Sequence, residues 1–362
     1  MKQVLMVNLG RQYGGAERYI ENVLKLMGDE YCFHIFAREN SSFYTRCQAN
    51  GFKNIVPISL RPIFVCDSVI KALKYIRKYD IDIIHTHGIN SEVFAYLLRL
   101  LLGRKKISFI STVHGIAEMD RINEPVFKRR IFSQIQIFVL RHFDTVIAVS
   151  ESIKEDLIGK GLDSNIIPVI YHFVDCNNME RKYSHHDPLK ICCVGRLEKV
   201  KNIELLIDAI ANMTDYDSLR CDIYGEGSLR ESLQIKIDEL GMTNIISLKG
   251  FENDVNRIYN SHDVLVQTSF YESFGLTVIE AMKCGLLVVC SKVGGMAEIV
   301  NNGINGLLFE SNNVVELTNI LENICLNKYN MISLSQNAQR EVMVRFSPLR
   351  HKKLLQHVYE GR

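Results

Sequence analysis

The sequence predicts an α/β protein built of two doubly wound, Rossmann-like halves. Three observations carry this. At 362 residues with 47% hydrophobic side chains, the chain can form two domains of roughly 150 to 200 residues, each with its own core. Val- and Ile-rich runs recur and are followed by stretches of helical periodicity, the pattern of right-handed crossovers onto a parallel sheet. Between the two series lies a polar break, Asp175 to Pro188 (DCNNMERKYSHHDP), with adjacent His185 and His186 and a proline, which reads as a linker.

In the first half, KQVLMVN leads into AERYIENVLKLM and IDIIHTH into SEVFAYLLRLLL. KISFISTVH follows, and DTVIAVS leads into ESIKEDLIGKG. The second series begins with LKICCVGRL and NIELLIDAIANM. It continues through LRCDIYGEG, LRESLQIKIDEL, NIISLKG and DVLVQTS to the segment beginning at Tyr271 and to LLVVCSKVGG. The expected boundaries are 1–175, 176–345, and a C-terminal helix over 346–362 that packs back on the first half. No internal repeat and no low-complexity tract is visible.

Composition narrows the function. The formal net charge of +2 argues against a nucleic-acid binder, although residues 1–175 carry 23 Lys+Arg against 18 Asp+Glu and residues 176–362 carry 20 against 23. Ten cysteines, including vicinal Cys192 and Cys193, show neither C-x-x-C nor metal-type spacing and read as small core hydrophobes of a reduced interior. The opening MKQVLMVNLG lacks an apolar leader with a cleavage site, and charges interrupt the apolar runs well short of the roughly 20 residues of a membrane span. The expected location is cytoplasmic.

In a doubly wound sheet, ligands sit beyond the carboxyl ends of the strands, so the loops there are the places to read. The first, NLGRQYGGAERYI, carries Gly10, Gly14 and Gly15 before a helix but lacks G-x-G-x-x-G; glycines there let backbone approach an anion or sugar hydroxyl. His85 and His87 alternate at a strand end and His114 closes STVHG. No carboxylate or third imidazole stands at metal spacing, and His114 reads instead as a donor or base for a substrate hydroxyl.

In the second half, VGRLEKVKN sets Arg196 and Lys201 on one turn, a pair of cations suited to a diphosphate. YGEGSLR follows, with Gly225 and Gly227 allowing backbone to lie against a base or ribose. In YESFGLTVIEAMKCG, Glu272 lies in a loop, Gly275 permits a tight entry, and a helix runs from near Leu276 to Cys284. The N–H groups of Gly275, Leu276 and Thr277 then point at a phosphate, Glu280 accepts from a ribose diol, and Glu272 is left for a sugar. A glycosidase reading of the two carboxylates leaves the neighbouring cations without an anion to hold.

In order, GRLEKVKN, YGEGSLR, LKGF, Glu272-SFGLTVI-Glu280, SKVGGMAEIV and NGINGLLF resemble the donor-binding half of retaining glycosyltransferases of family four, which have the GT-B fold. GGAER, DIIHTHG, STVHG, DTVIAVSES and VIYHFVD resemble the acceptor half, so the likeness covers nearly the whole chain. It implies two domains facing a central cleft. Arg196 and Lys201 would neutralise the donor diphosphate, Glu280 would hold the ribose and Glu272 the transferred sugar, with His114 beside it. Gly14 and Gly15 would line the cleft. Backbone around Gly225 and Lys249 to Phe251 would read the base, with Gly227 beside base or ribose, and Phe274 to Thr277 would complete the donor site. The donor would be a UDP- or GDP-sugar, with no cofactor and no metal, and the acceptor a glycan or lipid-linked glycan. Where many relatives carry Asn-Gly before Val-Asp, this chain has His172-Phe173.

From Arg99 to Phe143 the chain carries nine Lys+Arg (Arg99, Arg104, Lys105, Lys106, Arg121, Lys128, Arg129, Arg130, Arg141) against three acids (Glu118, Asp120, Glu124), a local +6. VFKRRIFSQIQIFVLRHF mixes these with Phe and Ile, which suggests peripheral docking on an anionic inner membrane leaflet.

Overall fold

The computed structural model describes residues 1–11, 14–61, 65–103, 106–116, 118, 124–175 and 186–361. They form two compact units, Met1–His172 with His351–Arg362, and Phe173–Arg350. Most of the linker, including His185, lies outside the described residues, as do Arg104, Lys105, Asp120 and Arg121 of the basic stretch.

The first unit holds six parallel strands: β1 (Gln3–Asn8), β2 (Cys32–Arg38), β3 (Ile55–Ile58), β4 (Ile83–His87), β5 (Ser108–Val113) and β6 (Thr145–Ala148). Their order is β3-β2-β1-β4-β5-β6. Val4 to Val7 of β1 are 0–1% exposed, as expected of a strand covered on both faces by crossover helices. The second unit repeats the winding with β7 (Leu189–Val194), β8 (Leu219–Tyr224), β9 (Ile246–Gly250), β10 (Val264–Gln267), β11 (Leu287–Ser291) and β12 (Leu307–Phe309), in the order β12-β11-β10-β7-β8-β9. Each sheet therefore reverses direction once, between β1 and β4 and between β7 and β10, and a crevice opens beyond the strand ends at those points.

The division falls at His172/Phe173 and Arg350/His351, a few residues from the boundaries read from sequence. Hydrogen bonding accounts for both. The Val174 N–H donates to the Phe346 carbonyl within the second unit (3.2 Å). The terminal helix Pro348–Glu360 is tied to the first unit: Lys2 Nζ donates to the Tyr359 carbonyl (2.8 Å), and His85 Nδ1 meets the Tyr359 hydroxyl (2.8 Å).

Candidate functional site

In the second unit the loops after β7 and β10 are stitched together. The Phe270 N–H donates to the Val200 carbonyl (2.9 Å) and Thr268 Oγ1 to the Lys201 carbonyl (3.0 Å). Lys201 closes a short 3-10 turn, and Asn202 takes a left-handed conformation (φ 48°) before helix Ile203–Ala211. The result delivers Lys201 Nζ onto the Glu272 carboxylate, both side chains being about one-fifth exposed. Arg196, on the same loop, is exposed. Thus the first cationic loop and the first glutamate meet, although 71 positions separate them.

Glycines set the position of Glu272. Gly294 has φ 42°, and a Cβ there would lie 2.1 Å from the Glu272 carbonyl oxygen; the same carbonyl accepts from the Gly295 N–H at 3.0 Å. Gly275 (φ 110°) then starts helix Leu276–Lys283, so the N–H groups of Leu276 and Thr277 fall in its first turn, where no intrahelical acceptor exists. Glu280, one turn on, is buried and its carboxylate accepts from the Tyr259 hydroxyl at 3.2 Å. Tyr259, fully buried in helix Val255–Asn260, has no signature in sequence beyond an apolar position in DVNRIYN.

Two expectations change in their physical reason. Gly225 (φ 141°) and Gly227 are required by the protein itself: added Cβ atoms would sit 1.8 Å from the Gly195 oxygen and 2.3 Å from the Leu197 oxygen. They let the β8 loop lie on the β7 loop that carries Arg196. Phe274 is buried and packs edge-on against Phe346 at 5.7 Å, so its side chain belongs to the core, whereas Phe251 is 66% exposed.

In the first unit, the carboxylate of Glu17 organises the loop after β1. It accepts from Asn8 Nδ2 and from the Gly14 N–H, both at 2.9 Å. The Gly14 N–H is thereby taken, and a buried carboxylate stands at the start of helix Gly15–Met27 where the sequence suggested an anion. Gly15 faces open space.

The histidines converge. His87 Nδ1 lies 2.9 Å from His114 Nε2, and His114 Nδ1 lies 3.1 Å from His172 Nε2. His85 bonds Thr112 (2.7 Å) and Tyr359, while His351 Nδ1 donates to the Tyr171 carbonyl (2.8 Å) and its Nε2 accepts from Tyr19 (3.2 Å). The Tyr19 ring stacks on His172 at 4.8 Å. Burial pushes the imidazole pKa values down, to about 3 for His85 and His114, to about 4 for His351, and well below the usual range for His87 and His172. All five are neutral near pH 7. Both ring nitrogens of His114, read from sequence as a donor or base, contact neighbouring imidazoles. The third imidazole missing from the sequence spacing is present in space, yet among the described residues no group of side chains is disposed to hold a metal ion.

Helix Val126–Leu140 buries Ser133, Gln136, Ile137, Val139 and Leu140. Its other side exposes Phe127, Ile131, Ile135 and Phe138 (40–62%). Arg99 is held in a two-pronged pair with Asp144 (3.0 and 3.1 Å). No helix among the described residues is long and apolar enough to cross a membrane.

The second of two doubly wound units gathers a cationic loop, a paired glutamate and a helix N-terminus at its switch point, an arrangement suited to an anionic ligand. Comparisons with known proteins agree. Residues 13–178 match the family model for Glycosyltransferase Family 4, and residues 176–341 match that for glycosyl transferases group 1. The chain belongs to this family and is a family-4-type GT-B glycosyltransferase. An uncharacterised glycosyltransferase of Methanocaldococcus jannaschii is 28% identical over 355 residues, 95% of this chain and 94% of that protein. An N-acetylgalactosamine-N,N'-diacetylbacillosaminyl-diphospho-undecaprenol 4-alpha-N-acetylgalactosaminyltransferase of Campylobacter jejuni is 27% identical over 318 residues, covering 83% of this chain and 84% of that one. The crystal structure of Anabaena Alr3699/HepE in complex with UDP-glucose superposes with a TM-score of 0.87 at 20% identity over the full length of both chains.

Proposed function

We propose that this protein moves a sugar from a nucleoside-diphosphate-sugar, a UDP- or GDP-sugar, to a hydroxyl of a glycan or lipid-linked glycan, with retention at the anomeric carbon. The observation that carries the reading is the meeting of Lys201 and Glu272 at the switch point of the second sheet, beside exposed Arg196. As the anomeric bond breaks, negative charge grows on the leaving diphosphate. Arg196, Lys201 and the helix start at Gly275 are donors for that charge, so this reading assigns its compensation to them rather than to a metal. Glu280, steadied by Tyr259, accepts from the ribose hydroxyls, and Glu272 positions the transferred sugar. The Campylobacter relative, named for a diphospho-undecaprenol-linked substrate, supports a lipid-linked acceptor.

This reading also docks the first unit on an anionic membrane face. The exposed row Phe127, Ile131, Ile135 and Phe138, with Lys128 and Arg130 beside it, supports this, since near-surface cations each add about 1 kcal/mol on an anionic leaflet. Sedimentation with anionic vesicles should show binding that weakens as salt rises. No binding at low salt, or binding indifferent to salt, refutes the electrostatic part.

Donor choice is tested by thermal shift with UDP-glucose, other UDP-sugars, GDP-sugars and ADP-sugars. A donor at 100 times its Kd adds about 2.7 kcal/mol of stability. No shift with any of them, together with no release of nucleoside diphosphate in the presence of lipid-linked acceptors, overturns the reading. Turnover that survives EDTA is the expected result for charge compensation by side chains.

A further inference from the structure

The carboxyl edge of the first sheet carries two arginines that no acid holds. Asn8 at the end of β1 pairs in register with Ala37 of β2, and Arg38 follows as the last residue of that strand. The chain leaving β1 is turned at once. The Leu9 N–H donates to Ser91 Oγ (2.9 Å) and the Gly10 N–H to Asn8 Oδ1 (3.1 Å), and Arg11 comes next. Arg11 is exposed and Arg38 half-buried. Burial first, and then the neighbouring Arg11 charge, pull the Arg38 guanidinium below its usual pKa, so the two groups feel one another. Among the described residues neither pairs with a carboxylate, although Arg46 and Arg99 of the same unit do, with Glu21 and Asp144. The buried carboxylate of the β1 loop, Glu17, is held by Asn8 Nδ2 and the Gly14 N–H. Exposed Glu39, next in sequence to Arg38, makes no ion pair among the described residues.

A guanidinium partly withdrawn from water beside a like charge is unfavourable in the free protein, and an anion bound between the two offsets that cost. The loops beyond the carboxyl ends of the strands are also where a doubly wound sheet receives its ligands. We propose that Arg11 and Arg38 form an anion site in the first unit that takes a phosphate group of the sugar acceptor. Each guanidinium presents a planar fork of N–H donors that meets phosphate oxygens at two points. Together they supply two positive charges, which match a phosphate dianion better than a single carboxylate. The claim rests on the glycosyltransferase reading for its acceptor and deepens it: the acceptor is held by the phosphate that links its glycan to a carrier as well as by its sugar. The site shares no residue with Arg196 and Lys201, which that reading gives to the donor.

The test is calorimetric titration of inorganic pyrophosphate into full-length protein carrying Arg196→Ala and Lys201→Ala, so that the donor cations do not hold the probe. Binding should persist there, and adding either Arg11→Gln or Arg38→Gln should weaken it roughly 10- to 100-fold, as for lost hydrogen bonds to a charged group. No binding in the starting protein, or binding that neither arginine change affects, overturns the proposal. Glucuronate serves as the monocarboxylate control, and binding of it as tight as that of pyrophosphate, with the same dependence on both arginines, overturns the choice of phosphate. Without ligand, Arg38→Gln should keep or raise Tm, because it removes a poorly solvated charge beside another; a lower Tm with unchanged affinity marks a structural arginine and refutes the site. If Arg38→Gln does not fold, exposed Arg11→Gln decides. In turnover, Arg38→Gln should raise KM for a prenyl-diphosphate-linked glycan by about tenfold or more and that for its methyl glycoside by about twofold or less. Equal changes overturn the assignment to the acceptor. If no acceptor is glycosylated at all, the glycosyltransferase reading falls, while the titration still decides the anion site.

Discussion

Acidification should unfold this protein through its histidine cluster. Unfolded imidazoles take up a proton as pH falls through about 6.5, but burial holds His85 and His114 near 3 and His351 near 4 in the folded state. The unfolded state therefore binds more protons, and stability that is whole above about pH 6.5 is lost as pH falls toward the folded values. At pH 5 each folded pKa is at least a unit lower, so the loss is set almost entirely by the unfolded value, at about 2 kcal/mol per ring. These three rings then withdraw about 6 kcal/mol, and His87 and His172, shifted in the same direction, add to it. A domain has only about 5–15 kcal/mol to lose. Calorimetry at pH 5.5 in buffers of different ionisation enthalpy measures the protons taken up on unfolding. The five rings should contribute about four to five, and His351→Gln should lower the uptake by about one. An uptake below one proton, or imidazole titrations near pH 6.5 in the folded protein, would show that the cluster is not buried and neutral.

Four further outcomes concern the second unit. Lys201→Ala and Glu280→Ala should each weaken donor binding by about 1–3 kcal/mol, read by calorimetric titration, because one strips charge from the phosphates and the other leaves ribose hydroxyls unpaired; unchanged affinity in both variants sinks the donor assignment. Glu272→Gln should reduce kcat more than donor affinity, the result expected of the proposed role at the sugar. Gly225→Ala should cost about 2–4 kcal/mol in urea unfolding, because its Cβ would lie 1.8 Å from a backbone oxygen at φ 141°. A wild-type midpoint would mean that the β7 and β8 loops can separate freely.

Strands at the centre of each sheet were plain in the sequence because burial on both faces makes them continuous apolar runs. Of the four edge strands, β3 and β12 were not. β3 is four residues with Pro57 inside it, and an edge strand tolerates a proline because one side of its ladder is unpaired. β12 is three residues long and lies at the edge of the other sheet. β2 is interrupted by His34, whose ring bonds Gln3 and Tyr75 at 2.9 Å and so carries no apolar mark. Helix Met331–Arg345 was missed for the opposite reason: its buried Leu334, Ser335, Ala338 and Val342 include a polar and a small residue, so the stripe is faint.

The candidate site divides along the same physical line. A parallel, doubly wound sheet sends the carboxyl end of every strand to one side, so identifying a strand locates the loop that follows it; that is why Arg196, Lys201, Glu272 and Glu280 could be named from local pattern. Their partners could not, because a pairing between side chains on different loops has no period. His114 and His172 are 58 positions apart, and Tyr19 and His351 332 apart. Tyr259 reaches Glu280 from a helix of six residues with no sequence mark of its own. The same reasoning explains the glycines. Gly225 and Gly227 were legible as places of close backbone approach, but only the fold shows that backbone of the protein itself occupies the space, at the loop that carries Arg196.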